Sequence, residues 1–290
     1  MKKSECNKEL LSGNNTLNNI IVRVDFLTIE VDKIVEKILE HLGDKFAYNK
    51  IDNYDINFDI SDPKKLITQD FIKQKVNLNN NFEFKSIDDD IRFVINQNFL
   101  LYERKNFVEY KGSKEDTDLY LELLNIVFDS DPKVQRLGVR KSNMIFVEQN
   151  LEKLKMILDN SFVQSLDDNI NQKFNLTYTP MKDNQKDGYN LNIQLDYGKL
   201  KIENENKDVY RAVIDIDSYI RDIDAIDQYE KIKDKIDELK LNDFELYKNQ
   251  MSELFLDAIT QETEDSFKEK IKNMGILFGA NYGKHEWFIF

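Results

Sequence analysis

The chain has 290 residues, of which 41% are hydrophobic and 33% charged. That supplies a sizeable core, in one large domain or two ordinary ones, and excludes a disordered chain. Acidic residues number 54 against 41 basic, a net charge of −13, which argues against general nucleic-acid binding because phosphate backbones are repelled.

The single cysteine, Cys6, excludes a disulfide framework or a thiolate zinc site within one chain and fits a reducing compartment. No apolar run approaches the roughly 18 residues of a membrane-spanning helix. No apolar stretch follows Met1-Lys2-Lys3 as a signal peptide requires. The expected location is cytoplasmic, with no membrane partner.

Residues 1–19 are polar and read as a mobile tail. In the stretch that follows, Ile20, Val22, Val24 and Phe26 alternate as one face of a strand. Val31, Ile34, Val35, Ile38, Leu39 and Leu42 then recur at helical spacing up to Gly43. Tyr54–Ile60 alternates apolar and polar residues as a half-buried strand does. Phe82–Ile87, Ile91–Ile95, Phe99–Arg104 and Phe107–Tyr110 read as short strands, with turns at Asp88–Asp90 and Asn96–Asn98. Ser113 caps a helix expected over Glu115–Phe128.

Asp131-Pro132 ends that segment. Val134–Val147 then reads as a strand, with Gly138 as a bulge or a close backbone approach. A helix is expected over Asn150–Phe162. Strands are expected at Lys173–Tyr178, Tyr189–Tyr197, Lys199–Asn204 and Val209–Ile216, with turns at Asp187-Gly188 and Tyr197-Gly198. Helices are expected over Asp224–Leu239 and Asp243–Ile259, broken by a cap at Asn242 or Asp243, and over Thr263–Met274. The apolar tail ending in Trp287-Phe288-Ile289-Phe290 is expected to dock on the body or on another subunit.

Both halves run strand, helix, short strands, helix. The expected class is α+β: two tandem β-α-β-β-β-β-α-like repeats with mainly antiparallel sheets, helices on one face and a helical C-terminal region. The repeats span 20–130 and 131–262, and a C-terminal helix and tail span 263–290. This order of elements resembles the TATA-box-binding protein and its fold relatives, whose curved sheet leaves one face open. The likeness implies architecture and no function.

A closer resemblance lies in Arg136-Leu137-Gly138-Val139-Arg140-x-x-Asn143. It is similar to the central strand of an uncharacterised, sporadically distributed bacterial family, in which an aromatic residue stands where this chain has Lys141. Leu256-Asp257-Ala258-Ile259-Thr260 matches a C-terminal helix pattern of that family. The resemblance implies a bacterial, non-secreted protein of mobile-element or phage-defence neighbourhoods, and it implies no activity.

Three constellations carry candidate chemistry. Arg136 and Arg140 flank Gly138 at even spacing, so both point to one side of a strand and form a candidate carboxylate or phosphate clamp, with Arg23 at a similar position in the first half. The bland alternative is ion pairing with the many acidic residues. Asp90 with Glu109 and Lys111 resembles the acidic-residue and Glu-x-Lys pattern of Mg-dependent nucleases, although Glu-x-Lys arises readily in a chain this charged. Trp287, Phe288 and Phe290 form a candidate interface. The acidic runs Asp88–Asp90, Asp167-Asp168 and Asp215/Asp217 with Asp222/Asp224 lack EF-hand spacing and read as solvated turns and helix starts. No metal-ligand cluster and no phosphate loop stands out. His41 and His285 offer little to a histidine-based site. The expectation is a non-enzymatic interaction or sensing protein that binds another protein or its own copy as a homo-oligomer, without a cofactor. The alternative is a Mg-dependent nuclease or other phosphate-processing enzyme.

Overall fold

Alternation sets the centre of the structure. In strand β1, Leu17–Phe26, the side chains of Ile20, Val22, Val24 and Phe26 are buried, while Ile21, Arg23 and Asp25 on the other face stay partly exposed. The computed structural model describes residues 17–56, 76–105, 113–148, 157–159, 174–178, 187–202, 205–250, 276–278 and 287–289. Strand β1 pairs antiparallel on both sides. Val22 lies opposite Tyr102 of β5, Phe99–Lys105, and opposite Val139 of β6, Val134–Glu148.

The sheet grows outward from this pair. Beyond β5 come β4, Ile91–Ile95, then β3, Val76–Ser86, then β2, Phe46–Ile56. Beyond β6 come β9, Glu205–Ile220, and β8, Asp187–Ile202. Strands β7, Phe174–Tyr178, and β11, Trp287–Ile289, lie on the far side of β8, and β10, Ile276–Phe278, lies beside β6. All described pairings of this 11-stranded sheet are antiparallel.

The last two strands extend edges that their neighbours leave open. Strand β1 pairs with β6 as far as Asn143, and β10 continues the same edge at Ile145–Val147. Strand β7 pairs with β8 over Leu191–Leu195, and β11 follows at Gly198–Leu200. The C-terminal chain therefore covers ladder groups that an open edge would expose.

The helices are α1, Val31–Leu42; α2, Ser113–Phe128; α3, Ile223–Ile226; and α4, Tyr229–Gln250. Helix α1 stops at Gly43, whose φ of 56° is left-handed and whose amide donates to the Leu39 carbonyl. All four helices bury side chains in one core: Ile34 and Ile38, Tyr120 and Leu124, Ile226, and Ile232 and Ile236, against Val22, Phe84, Phe93, Tyr102, Leu137 and Val139 of the sheet. The rings of Phe46, Phe93, Tyr102 and Tyr120 run through it with successive centroid separations of 5.6, 5.4 and 5.9 Å. The class is thus α+β with a mainly antiparallel sheet.

Four local expectations are corrected. Asp187-Gly188 makes no turn: both residues belong to β8, opposite Ile220 and Tyr219 of β9. Tyr197-Gly198 makes no turn: β8 runs straight through, with Tyr197 opposite Tyr210 and Gly198 opposite Val209, and the chain reverses after Ile202. A continuous ladder on β9 outweighs the turn preference of one glycine. Asn242 and Asp243 do not break the last long helix, because α4 continues to Gln250. Either residue costs an unbroken helix only a few tenths of a kcal/mol. Gly138 is not a bulge, since the β1–β6 register shifts only at its two ends. Phe107–Tyr110, residues 57–60, the expected helix Thr263–Met274 and most of Asn150–Phe162 lie outside the described residues.

Phe93 is fully buried between Phe46 and Tyr102. Phe93→Ala is expected to cost about 3–5 kcal/mol in denaturant unfolding, and a loss under about 1 kcal/mol contradicts this packing. Burial holds the Tyr102 and Tyr120 hydroxyls above the ordinary tyrosine range. Tyrosines of the unfolded chain ionise near about pH 10 while these two stay protonated. Stability is therefore full below that pH and falls as pH rises beyond it. Tyr120→Phe is expected to flatten that alkaline slope, and an unchanged slope contradicts it.

Candidate functional site

The face of the sheet away from the helices carries paired charges among apolar side chains such as Ile21, Val94 and Leu101. On the first half, Arg92 Nε lies 2.7 Å from Glu83 Oε1, and Arg92 Nη1 donates to Glu103 Oε2 at 2.9 Å. Asn19 Nδ2 donates to the other Glu103 oxygen at 2.7 Å. On the second half, Arg140 holds Asp215 with both ends of its guanidinium, Nε to Oδ1 at 2.8 Å and Nη2 to Oδ2 at 2.5 Å. The Asp215 hydrogen bonds raise the Arg140 pKa above its ordinary value.

Arg136 depends on a neighbouring glycine. A Cβ on Gly138 would lie 2.7 to 2.9 Å from the Arg136 guanidinium. The missing side chain lets Arg136 lie along β6 and reach Asp217, to which Nη2 donates at 2.9 and 3.0 Å. Asp25 Oδ2 lies 3.6 Å from Arg136 Nη1. The Arg136 guanidinium carbon is also 5.3 Å from the centre of the Tyr219 ring.

Tyr219 is seated in the same way. It stands opposite Gly138 on one side and Gly188 on the other. A Cβ on Gly188 would lie 2.7 Å from its hydroxyl oxygen. Arg23 completes the row opposite Gly138, stacks at 4.2 Å over Phe99 and donates from Nε to Asp25 at 2.6 Å. Arg221, just past β9, lies 4.8 Å from the Tyr219 ring centre.

Arg23, Asp25, Asn98, Gln135, Arg136 and Arg221 line an open cleft of about 500 Å³. Its cations come from β1, β6 and the end of β9. Two members of the expected clamp, Arg23 and Arg136, are brought together here. Arg140 lies one row away, opposite Ile21 and Asp217, and does not line the cleft. Asp215 and Asp217 are strand residues paired to arginines, not solvated turns or helix starts. Their alternation with Ile214 and Ile216 is the sequence signal for that placement. Arg221 and Tyr219 carry no motif, and only the register reveals them.

Asp90 lies in the turn between β3 and β4, where its carbonyl accepts the Lys105 amide at 2.8 Å. Next to it, hydrogen bonds from the Ser86 hydroxyl and the Asp90 amide hold the Asp88 carboxyl below its ordinary pKa. Glu109, Lys111 and Phe290 lie outside the described residues. Trp287 and Phe288 stand in β11, opposite Leu200 and Lys199 of the same chain. Among the described residues no group of three or more His, Cys, Asp or Glu is placed to hold a metal ion. On the helix side, Lys141 is buried and its Nζ donates to the Lys240 carbonyl of α4 at 2.8 Å.

No protein-family model matches the chain, and no curated protein matches it.

Gly138→Ala is expected to push the movable tip of Arg136 off Asp217 and to cost about 0.5–1 kcal/mol in denaturant unfolding. An Asp217→Asn background should absorb part of that loss. Equal stability of Gly138→Ala and the parent would contradict the seating of Arg136 over Gly138.

Proposed function

We propose that the protein is a non-catalytic interaction or sensing module of the bacterial cytoplasm, tied to mobile-element or phage-defence genes, whose partner is another protein or a second copy of itself. The observation that carries this reading is the division of the sheet. The described helices occupy one face, and the other presents a fixed lattice of paired charges around an arginine-lined cleft. Charges already held in place need little reordering on contact, so they favour selective recognition.

The order of strands supports an internal duplication. Each half opens with a central strand, β1 or β6. Each next places its last strand outward, β5 or β9, followed by the strand before it, β4 or β8. That symmetry agrees with the likeness in element order to the TATA-box-binding protein, and the acidic net charge favours a basic protein surface over nucleic acid.

A second reading is a Mg-dependent nuclease using Asp90, Glu109 and Lys111. It is favoured by the Asp90–Lys105 hydrogen bond, which holds Asp90 against the end of the strand that leads into Glu109 and Lys111.

Native mass spectrometry of protein purified gently from its own host tests the pair. The first reading expects the mass of several chains, or of this chain with another protein. Deleting Trp287–Phe290 is expected to weaken that assembly. A single-chain mass with bound Mg²⁺, and metal-dependent cleavage lost in Glu109→Ala and Lys111→Ala, would overturn it in favour of the nuclease.

A further inference from the structure

We propose that the cleft between the ends of β1, β6 and β9 binds a soluble phosphate monoester, with Arg23, Arg136 and Arg221 as its ligands. The inference deepens the reading of the open sheet face as a binding surface and rests on it.

Charge comes first. The residues lining the cleft include three guanidiniums and one carboxylate, Asp25. Asp217, from outside the lining, occupies one edge of Arg136. Arg23 gives one Nε to Asp25. Among the described residues Arg221 meets no carboxylate; its contact is the Tyr219 ring. A guanidinium carries five N–H donors, so each of the three keeps donors for a ligand. Three guanidiniums against Asp25 and Asp217 leave one positive charge in surplus, which favours an anion such as a phosphate monoester, of charge about −1.5 to −2 near neutral pH.

Geometry comes second. Arg23 is stacked on Phe99, and Arg136 and Arg221 share Tyr219. These ring contacts hold the guanidiniums beside the cleft, and the N–H groups not taken by Asp25 or Asp217 remain to donate. Tyr219 is itself held over Gly188, and Arg136 over Gly138. Three forks, two from strands and one from just past β9, can surround a tetrahedral oxyanion, whereas a planar carboxylate is satisfied by one. The volume, about 500 Å³, exceeds what a lone phosphate needs and leaves room for the esterified group beside Asn98 and Gln135. Asn98 is anchored by Nδ2 donating to the Leu27 carbonyl at 2.7 Å.

The site keeps Arg23 and Arg136 of the clamp that sequence spacing pointed to and has Arg221 in place of Arg140. Arg140, with its guanidinium taken by Asp215, is a built-in control.

The test is calorimetric titration of the full chain at low ionic strength with glycerol phosphate, inorganic phosphate and acetate. Saturable one-to-one binding is expected for both phosphates, tighter for the ester, with acetate far weaker. Arg221→Ala should weaken glycerol phosphate at least roughly ten-fold at an unchanged unfolding midpoint, since its side chain is exposed. Arg221→Lys, which keeps the charge and loses the fork, should fall between. Arg140→Ala should bind as the parent does. Absence of saturable binding, binding that survives both Arg221 variants, or acetate as tight as phosphate would overturn the assignment. If a protein complex still forms in native mass spectrometry after such a result, the phosphate site falls and the interaction reading stands.

Discussion

The antiparallel pairing of β1 with β6 is the contact on which the rest of the structure depends. It joins strands more than a hundred residues apart in sequence, with Val22 opposite Val139 and Arg23 opposite Gly138. One side of this seam lies under the helices, where Val22, Leu137 and Val139 are fully buried. The other side carries the cleft. Without the seam, the first half would expose an edge at β1 and the second half an edge at β6, and long open edges invite pairing with other chains. Strand β10 extends the same protection to the part of β6 that β1 does not reach.

On the open face, small residues decide where large charged ones lie. Gly138 and Gly188 leave space that the Arg136 and Tyr219 side chains fill. Each partly exposed ion pair contributes modestly to stability, about 1 kcal/mol or less. Their larger effect is positional. Arg136 is held by Asp217 and stacked on Tyr219, and Arg140 is held by Asp215. A face arranged in this way can present charge to a partner at low entropic cost.

Much of the framework was legible in the sequence. The apolar periodicity of Val31–Leu42, the glycine that ends it and the alternation of β1 all survive in the structure. So do the turn at Asp88–Asp90, where Asp89 takes a left-handed φ of 60°, and the start of β6 after Asp131 and Pro132. Local chemistry misled at Tyr197-Gly198, where the β8–β9 ladder outweighed it, and at Asn242-Asp243, where an unbroken helix costs little. The cleft was only half legible. Arg23 and Arg136 stood out by spacing, but Arg140 shares that spacing and is taken up by Asp215. Arg221 belongs to the site because β9 ends beside the start of β6, and no local pattern encodes that register. Lys141 was visible as a departure from a family pattern, yet its burial under α4 follows only from its place two residues after Val139 on the inward face.

Native-state amide hydrogen exchange across the seam tests the central claim most directly. If β1 and β6 join both halves into one sheet, the amides of residues 22–24 and 137–139 should be among the slowest to exchange and should open only with global unfolding. Denaturant should lower the protection of both strands together. Exchange at β1 or β6 through an opening that leaves the other half protected would contradict the account, because the halves would then be separate units meeting at a weak edge.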